Sequence, residues 1–349
     1  MSRYSPFMQC AVLAVAVAST CAWSFGGEFE PIAQDEIVPL ESRVELLWDE
    51  GEFTEGPAPA ADGAILFSDI GNRIMRYEPA TGSVTVFREP SGRANGMMFD
   101  AEGRLVVCEG ANTGGGRRLS ITDADGQVRT LVDRWQGKRL NSPNDLAISP
   151  AGRVYFSDPR YVGDEPREID FDGLFVVEPG GDVSVATEEL TMPNGVVVSP
   201  DGSKVYVADH DSAPTGNRHL VVFDVAEDGT LTNKRVLFDF GAGNRGIDGM
   251  TVDRLGNVYA TAGSGERAGV YVFAPDGRQL AMIPVPGTPT NCVFGIGEDA
   301  ATLYITAMAP SDATSGATKT GAAKGDIAKE AFALYRIKLR YPGFHVFEP

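Results

Sequence analysis

A six-bladed β-propeller is predicted from three sequence patterns that recur six times in phase. The first is an oxygen-bearing residue eight positions before a turn glycine or its stand-in: Glu55 before Gly63, Asn95 before Gly103, Asn144 before Gly152, Asn194 before Gly202, Asp248 before Gly256 and Asn291 before Asp299. The leading residues are spaced by 40, 49, 50, 54 and 43 positions, a period that fits one supersecondary unit per repeat. The second pattern is a β-branched and aromatic run directly after each turn. The third is another such run a few residues later.

Taken in order, the runs after the turns are 64–69, 104–108, 153–158, 204–209, 257–261 and 302–306, as in Arg153-Val154-Tyr155-Phe156-Ser157-Asp158. Runs of this composition bounded by Gly, Pro and Asp read as strands, and the glycines supply the positive φ of a tight hairpin. The next runs are 74–77, 119–122, 174–177, 220–223, 270–273 and 334–337. Fourth runs follow, such as 83–87 and 127–132. Four strands in each of six units define the propeller, expected over residues 41–340. Val44-Glu45-Leu46-Leu47-Trp48 precedes the first unit and is expected to complete the last blade, closing the ring with both ends of the chain. Paired β-sandwiches or a solenoid would not keep three strand motifs in phase. Helical periodicity is nearly absent, with a weak helical turn expected over 325–332.

Outside the ring, residues 1–22 read as an export signal: Arg3, then an uncharged and mostly apolar stretch from Phe7 to Ala18, too short for a comfortable membrane span. Cleavage is expected after Ala18 or Ala22, giving a periplasmic or secreted protein with no stable membrane insertion. A lipoprotein at Cys21 and a retained anchor are the weaker readings. Of the four cysteines, Cys10 and Cys21 would leave with the signal, while Cys108 and Cys292 are expected as buried thiols in different blades. Residues 310–328, rich in Ala, Ser, Thr, Gly and Lys, are expected to form a long loop inserted in the last blade.

The formal net charge of −18 argues against nucleic-acid binding, which needs a basic footprint. Three histidines, no Gly-x-Ser-x-Gly and no phosphate-binding loop leading into a helix leave few catalytic constellations. The ring itself is the remaining candidate. Residues at the starts of equivalent inner strands converge at one mouth of a propeller channel. Glu55, Asn95, Asn144, Asn194, Asp248 and Asn291 would place two carboxylates and four carboxamides there. Such hard oxygen donors suit Ca²⁺ first, with Mg²⁺, Mn²⁺ or Zn²⁺ as other candidates. The plain alternative for each residue alone is a turn-forming side chain that caps a strand.

The segments Thr54-Glu55-Gly56-Pro57, Asn141-Ser142-Pro143-Asn144-Asp145, Tyr155-Phe156-Ser157-Asp158-Pro159, Met192-Pro193-Asn194-Gly195 and Ile247-Asp248-Gly249-Met250 resemble the senescence marker protein/gluconolactonase/luciferin-regenerating enzyme family, in particular its bacterial gluconolactonase-like branch. The resemblance implies a six-bladed propeller with one divalent cation held at Glu55, Asn144, Asn194 and Asp248. It also implies hydrolysis of a small-molecule sugar lactone, with Asp248 as the catalytic acid/base. Asn95, Asn291 and His210, together with Asn144, are then expected to hold substrate. Competing readings are a phosphotriesterase or other esterase on the same site, and a non-catalytic binding propeller with a structural ion.

Overall fold

The protein is represented by a computed structural model, which describes residues 28–112, 114–309 and 331–347. The expected signal at 1–22 and the whole of the expected loop at 310–328 lie outside the described residues. Six four-stranded antiparallel sheets follow one another along the chain. Their inner strands are Thr54–Pro59, Ala94–Phe99, Leu146–Ile148, Pro193–Val198, Met250–Val252 and Pro289–Phe294. Blades one to five take their four strands consecutively. Blade six is completed by the N-terminal strand Glu45–Gly51, which pairs antiparallel with Phe332–Lys338. The ring therefore closes where the run Val44–Trp48 predicts it.

The hairpin turns behave as their glycines require. Gly63, Gly103, Gly152, Gly202 and Gly256 have φ of +87°, +77°, +79°, +73° and +84°, a region costly for a residue with a Cβ. Two elements were not anticipated from the sequence. A short helix covers Gln34–Ile37, and a two-stranded ribbon joins Arg134–Trp135 to Lys138–Arg139. Residues 325–330 of the expected helical turn lie outside the described residues, and Phe332 at its end opens a strand.

The core is divided into six apolar layers, one between each pair of adjacent blades. One layer joins Ala58 and Leu66 of blade one to Met97 and Val107 of blade two. The next joins Val106 and Ile121 to Leu146 and Phe175, and the series closes with Tyr304 and Leu334 against Phe67 and Tyr77. The alternating strands supply apolar side chains to both faces, so every blade is covered on two sides. Cys108 and Cys292 are buried and unbridged, as expected, and burial raises both thiol pKa values.

Candidate active site

The Xaa-Gly pairs that open the inner strands are explained by backbone approach. Gly96 N–H donates to Asn144 C=O (2.8 Å), Gly195 N–H to Asp248 C=O (2.9 Å) and Gly249 N–H to Thr290 C=O (2.7 Å). Each bond ties one blade to the next at the channel wall. A Cβ on Gly56 would collide with the Asn95 carbonyl, and one on Gly249 with the Asn291 carboxamide. The ladders of blades one, two, four and six are also irregular here, with shifts between Glu55 and Ala58, Ala94 and Met97, Pro193 and Val196, and Pro289 and Asn291. Bulges of this kind re-aim side chains.

Glu55 is buried, 5% exposed. Its Oε2 accepts from Gly56 N–H at 2.9 Å and from the Asn291 amide at 3.1 Å. Burial raises its pKa well above the carboxylate range, and the charges of Asp248 and Asp145 raise it further. Asp248 lies in the strand opening of blade five, and its Oδ2 is held by Arg245 Nη2 at 2.5 Å. Asn194 bonds to Tyr161, whose hydroxyl also donates to His210 C=O at 2.9 Å. The charge of Asp248 acts on both Tyr161 and His210. The His210 ring meets Ile247 C=O through Nδ1 at 2.8 Å, which makes Nδ1 the protonated nitrogen and leaves Nε2 as an acceptor. Burial lowers the His210 pKa, so the ring is neutral.

Glu55, Asn194, Asp248 and His210 thus share one neighbourhood, with Asn144 and Asn95 opening the adjoining blades. Asn291 is placed differently from the expectation that it faces substrate. Its amide nitrogen bonds Glu55, its Oδ1 accepts from Cys292 N–H at 2.8 Å, and it bonds Asp145 as well. Both ends of the amide are engaged with protein, and the side chain braces Glu55.

Asp145 is a residue that the sequence reading missed. It is fully buried and bonded by the backbone N–H groups of Leu146 and Val196, yet burial pushes its pKa up to about 7, aided by the charge of Asp248. The signal was present in the chain: blade three carries Asp145 in the slot where blades one, two, four and five carry glycine. Below this level the channel narrows to a void of ~70 Å³ lined by the inner strands, with Phe344, His345 and Phe347 of the C-terminal segment among its walls.

Three carboxylates, Glu55, Asp145 and Asp248, therefore lie near one another, with one guanidinium, Arg245, paired to Asp248. Such a cluster is stable only when protonated or neutralised by a cation. Among the described residues no group of three or more His, Cys, Asp or Glu is arranged as a metal cage. A hard cation would take carboxamide oxygens for the rest of its shell, and Asn144 and Asn194 stand at the openings of blades three and four beside this cluster.

Residues 53–309 match the family model described as SMP-30/Gluconolactonase/LRE-like region. A gluconolactonase of Zymomonas mobilis is 33% identical over 300 residues, 78% of this chain and 81% of that protein. A 6-deoxy-6-sulfogluconolactonase of Pseudomonas putida is 28% identical over 68% of this chain and 76% of its own length. Among solved structures, a gluconolactonase from Xanthomonas campestris superposes with a TM-score of 0.70 at 29% identity, covering 88% of this chain and 92% of that one. With its matched region running from the first blade into the sixth, the chain belongs to the SMP-30/gluconolactonase/LRE-like family.

Proposed function

We propose that this chain is a lactonase that opens a sugar lactone at the channel mouth, with one divalent cation held by Glu55, Asn144, Asn194 and Asp248. The observation that carries this reading is the buried, cation-seeking carboxylate set on a propeller related to gluconolactonases. Ca²⁺ fits the all-oxygen donors best. When bound, the cation supplies Lewis-acid polarisation of the lactone carbonyl.

The chain's own residues supply the rest. Water attacks the carbonyl carbon while the Asp248 carboxylate takes its proton. The ring C–O bond then breaks, and the proton passes to the departing ring oxygen, leaving a hydroxy acid. Arg245 fixes the orientation of Asp248 through Oδ2. Asn291, bonded to Glu55 and to Cys292 N–H, keeps Glu55 from swinging out of the site. His210 Nε2 is available to accept from a substrate hydroxyl, and Asn95 opens blade two at the same mouth. For the expected export signal, the proposal is a periplasmic or secreted enzyme.

The test is a panel of sugar lactones assayed with Ca²⁺, Mg²⁺, Mn²⁺ and Zn²⁺, comparing wild type with Asp248→Asn. Loss of at least about a thousandfold in kcat is expected from removing a proton acceptor at the reacting centre, with circular dichroism unchanged. Full activity in that variant would sink the assignment.

A further inference from the structure

Arg93 stands directly before the inner strand Ala94–Phe99 of blade two. Its backbone is left-handed, φ +59°, a conformation that is rare and costly for a residue with a long side chain. The surroundings enforce it. Arg93 N–H donates to Asn72 Oδ1 at 2.9 Å, its C=O accepts from Gly110 N–H at 3.1 Å, and Asn72 Oδ1 also takes Ser91 N–H at 3.1 Å. The side chain is different. Among the described residues its half-buried guanidinium has no hydrogen-bond or ion-pair partner.

The guanidinium lies at the junction of blades two and three. A Cβ built on Gly110 would sit 2.8 Å from Arg93 Nη1 and 3.1 Å from Ser142 Oγ. This is the mouth level of the channel, since Ser142 precedes Asn144 by two residues. Two further arginines occupy the same corner and are used structurally. Arg117 donates to Leu140 C=O at 2.9 Å, and Arg160 to Asn141 C=O and Glu165 C=O, both at 2.8 Å. Glu165, the acid whose charge acts on Arg93, accepts Asn112 N–H through Oε1 at 2.7 Å, and its Oε2 lies 3.7 Å from Arg160. In a chain of net charge −18, three arginines meet the acids Glu165 and Asp158 at this corner, and among the described residues the Arg93 guanidinium alone of the three is bonded to none of its neighbours.

We infer that Arg93 is an anion subsite: the substrate is a lactone carrying an oxyanion at the end remote from the reacting carbonyl. In a six-bladed ring, blade two faces blade five across the channel, so a substrate reacting at Asp248 extends its far end towards Arg93. A half-buried guanidinium with no bonded partner binds an oxyanion through charge-assisted bonds that a neutral hydroxyl cannot match. The inference rests on the lactonase reading and gives it a substrate class.

The experiment pairs D-glucono-lactone with 6-phospho-D-gluconolactone in turnover, and D-gluconate with 6-phospho-D-gluconate in calorimetric titration of the full chain with Ca²⁺. Wild type is expected to favour the phosphorylated member of each pair by about tenfold to a hundredfold, the worth of one charge-assisted bond. Arg93→Gly should bring that ratio to within about threefold of unity while melting no lower than wild type, because glycine adopts the left-handed backbone freely. Arg93→Gln, which keeps the strained backbone and loses the charge, should lose the preference too. A preference that survives both substitutions, or a wild type that treats both members alike, overturns the inference. Lactones opened without preference overturn it alone. An Arg93-dependent preference in titration with neither lactone opened supports the subsite and overturns only the lactonase.

Discussion

Asp158 shows how a single carboxylate organises the approach to the site. Its Oδ2 accepts from Asn141 N–H and its Oδ1 from Ser142 N–H, each at 2.7 Å, fixing the segment that leads to Asn144. Burial nevertheless pushes its pKa up to about 7 against those two bonds. A carboxyl whose folded pKa is raised contributes stability below its unfolded pKa and loses it as the pH climbs through the folded value. Asp158→Asn removes that titration. The stability of wild type relative to this variant should therefore fall between about pH 5 and pH 8.5, by roughly 2–4 kcal/mol. Urea melts across that range measure it, and a difference flat with pH would contradict the shift. Asp158 was visible in the sequence only as the end of a strand run and as part of the family-like segment 155–159, with no role attached. Its counterparts Asp69 and Asp209 stand at or one residue before the ends of second strands and also bind loop N–H groups, Asp69 those of Glu52 and Phe53, Asp209 those of Thr191 and Met192. Their shared role depends on loop geometry that a linear pattern does not carry. The same limit hid Asp145, which looks like a neighbour of Asn144 until the inter-blade bond to Val196 is seen.

At the scale of the element, the inner strand is the unit that both the repeat and the site depend on. Turn glycines and β-branched or aromatic runs are local signals, so strand positions and hairpin turns were legible in the chain. The bulges at Glu55 and Asn194 were not, because they arise from pairing with the second strand. Nor was the close packing of one blade's glycine against the next blade's leading residue. Gly249→Ala places a methyl group into the Asn291 carboxamide, and Asn291 holds Glu55. We expect a loss of about 1–3 kcal/mol from overpacking, with weakened cation binding as a second effect. Gly180→Ala serves as control, since a Cβ there meets no atom within 4 Å and its φ is not positive; it should change stability by less than about 0.5 kcal/mol. Equal melting temperatures for the two variants would refute the account of Gly249.

For the whole molecule, the informative feature is the seam in blade six. Glu45–Gly51 covers what would otherwise be the open edge of Phe332–Lys338, with Trp48 opposite Leu334 and packed on Phe67 at a ring distance of 5.4 Å. Glu45 also pairs with Arg336 at 2.8 Å. A chain beginning at Glu52 would leave three strands in blade six and expose an unpaired edge, a template for association. We expect it to aggregate or elute as oligomers in size-exclusion chromatography. A monomer with wild-type melting behaviour would show that the seam adds nothing.

That seam also sets an order of events in time. Glu45 and its partner Arg336 are 291 residues apart, so during synthesis the first strand emerges long before the strand it pairs with. Until then the growing chain is an open arc. Each finished blade covers one apolar face and presents a new one, and the first face stays bare throughout. The two bare ends disappear together, in the last step, when the oldest strand meets the youngest. Folding of this chain is therefore completed late and all at once, and its most vulnerable moment is just before the ring shuts.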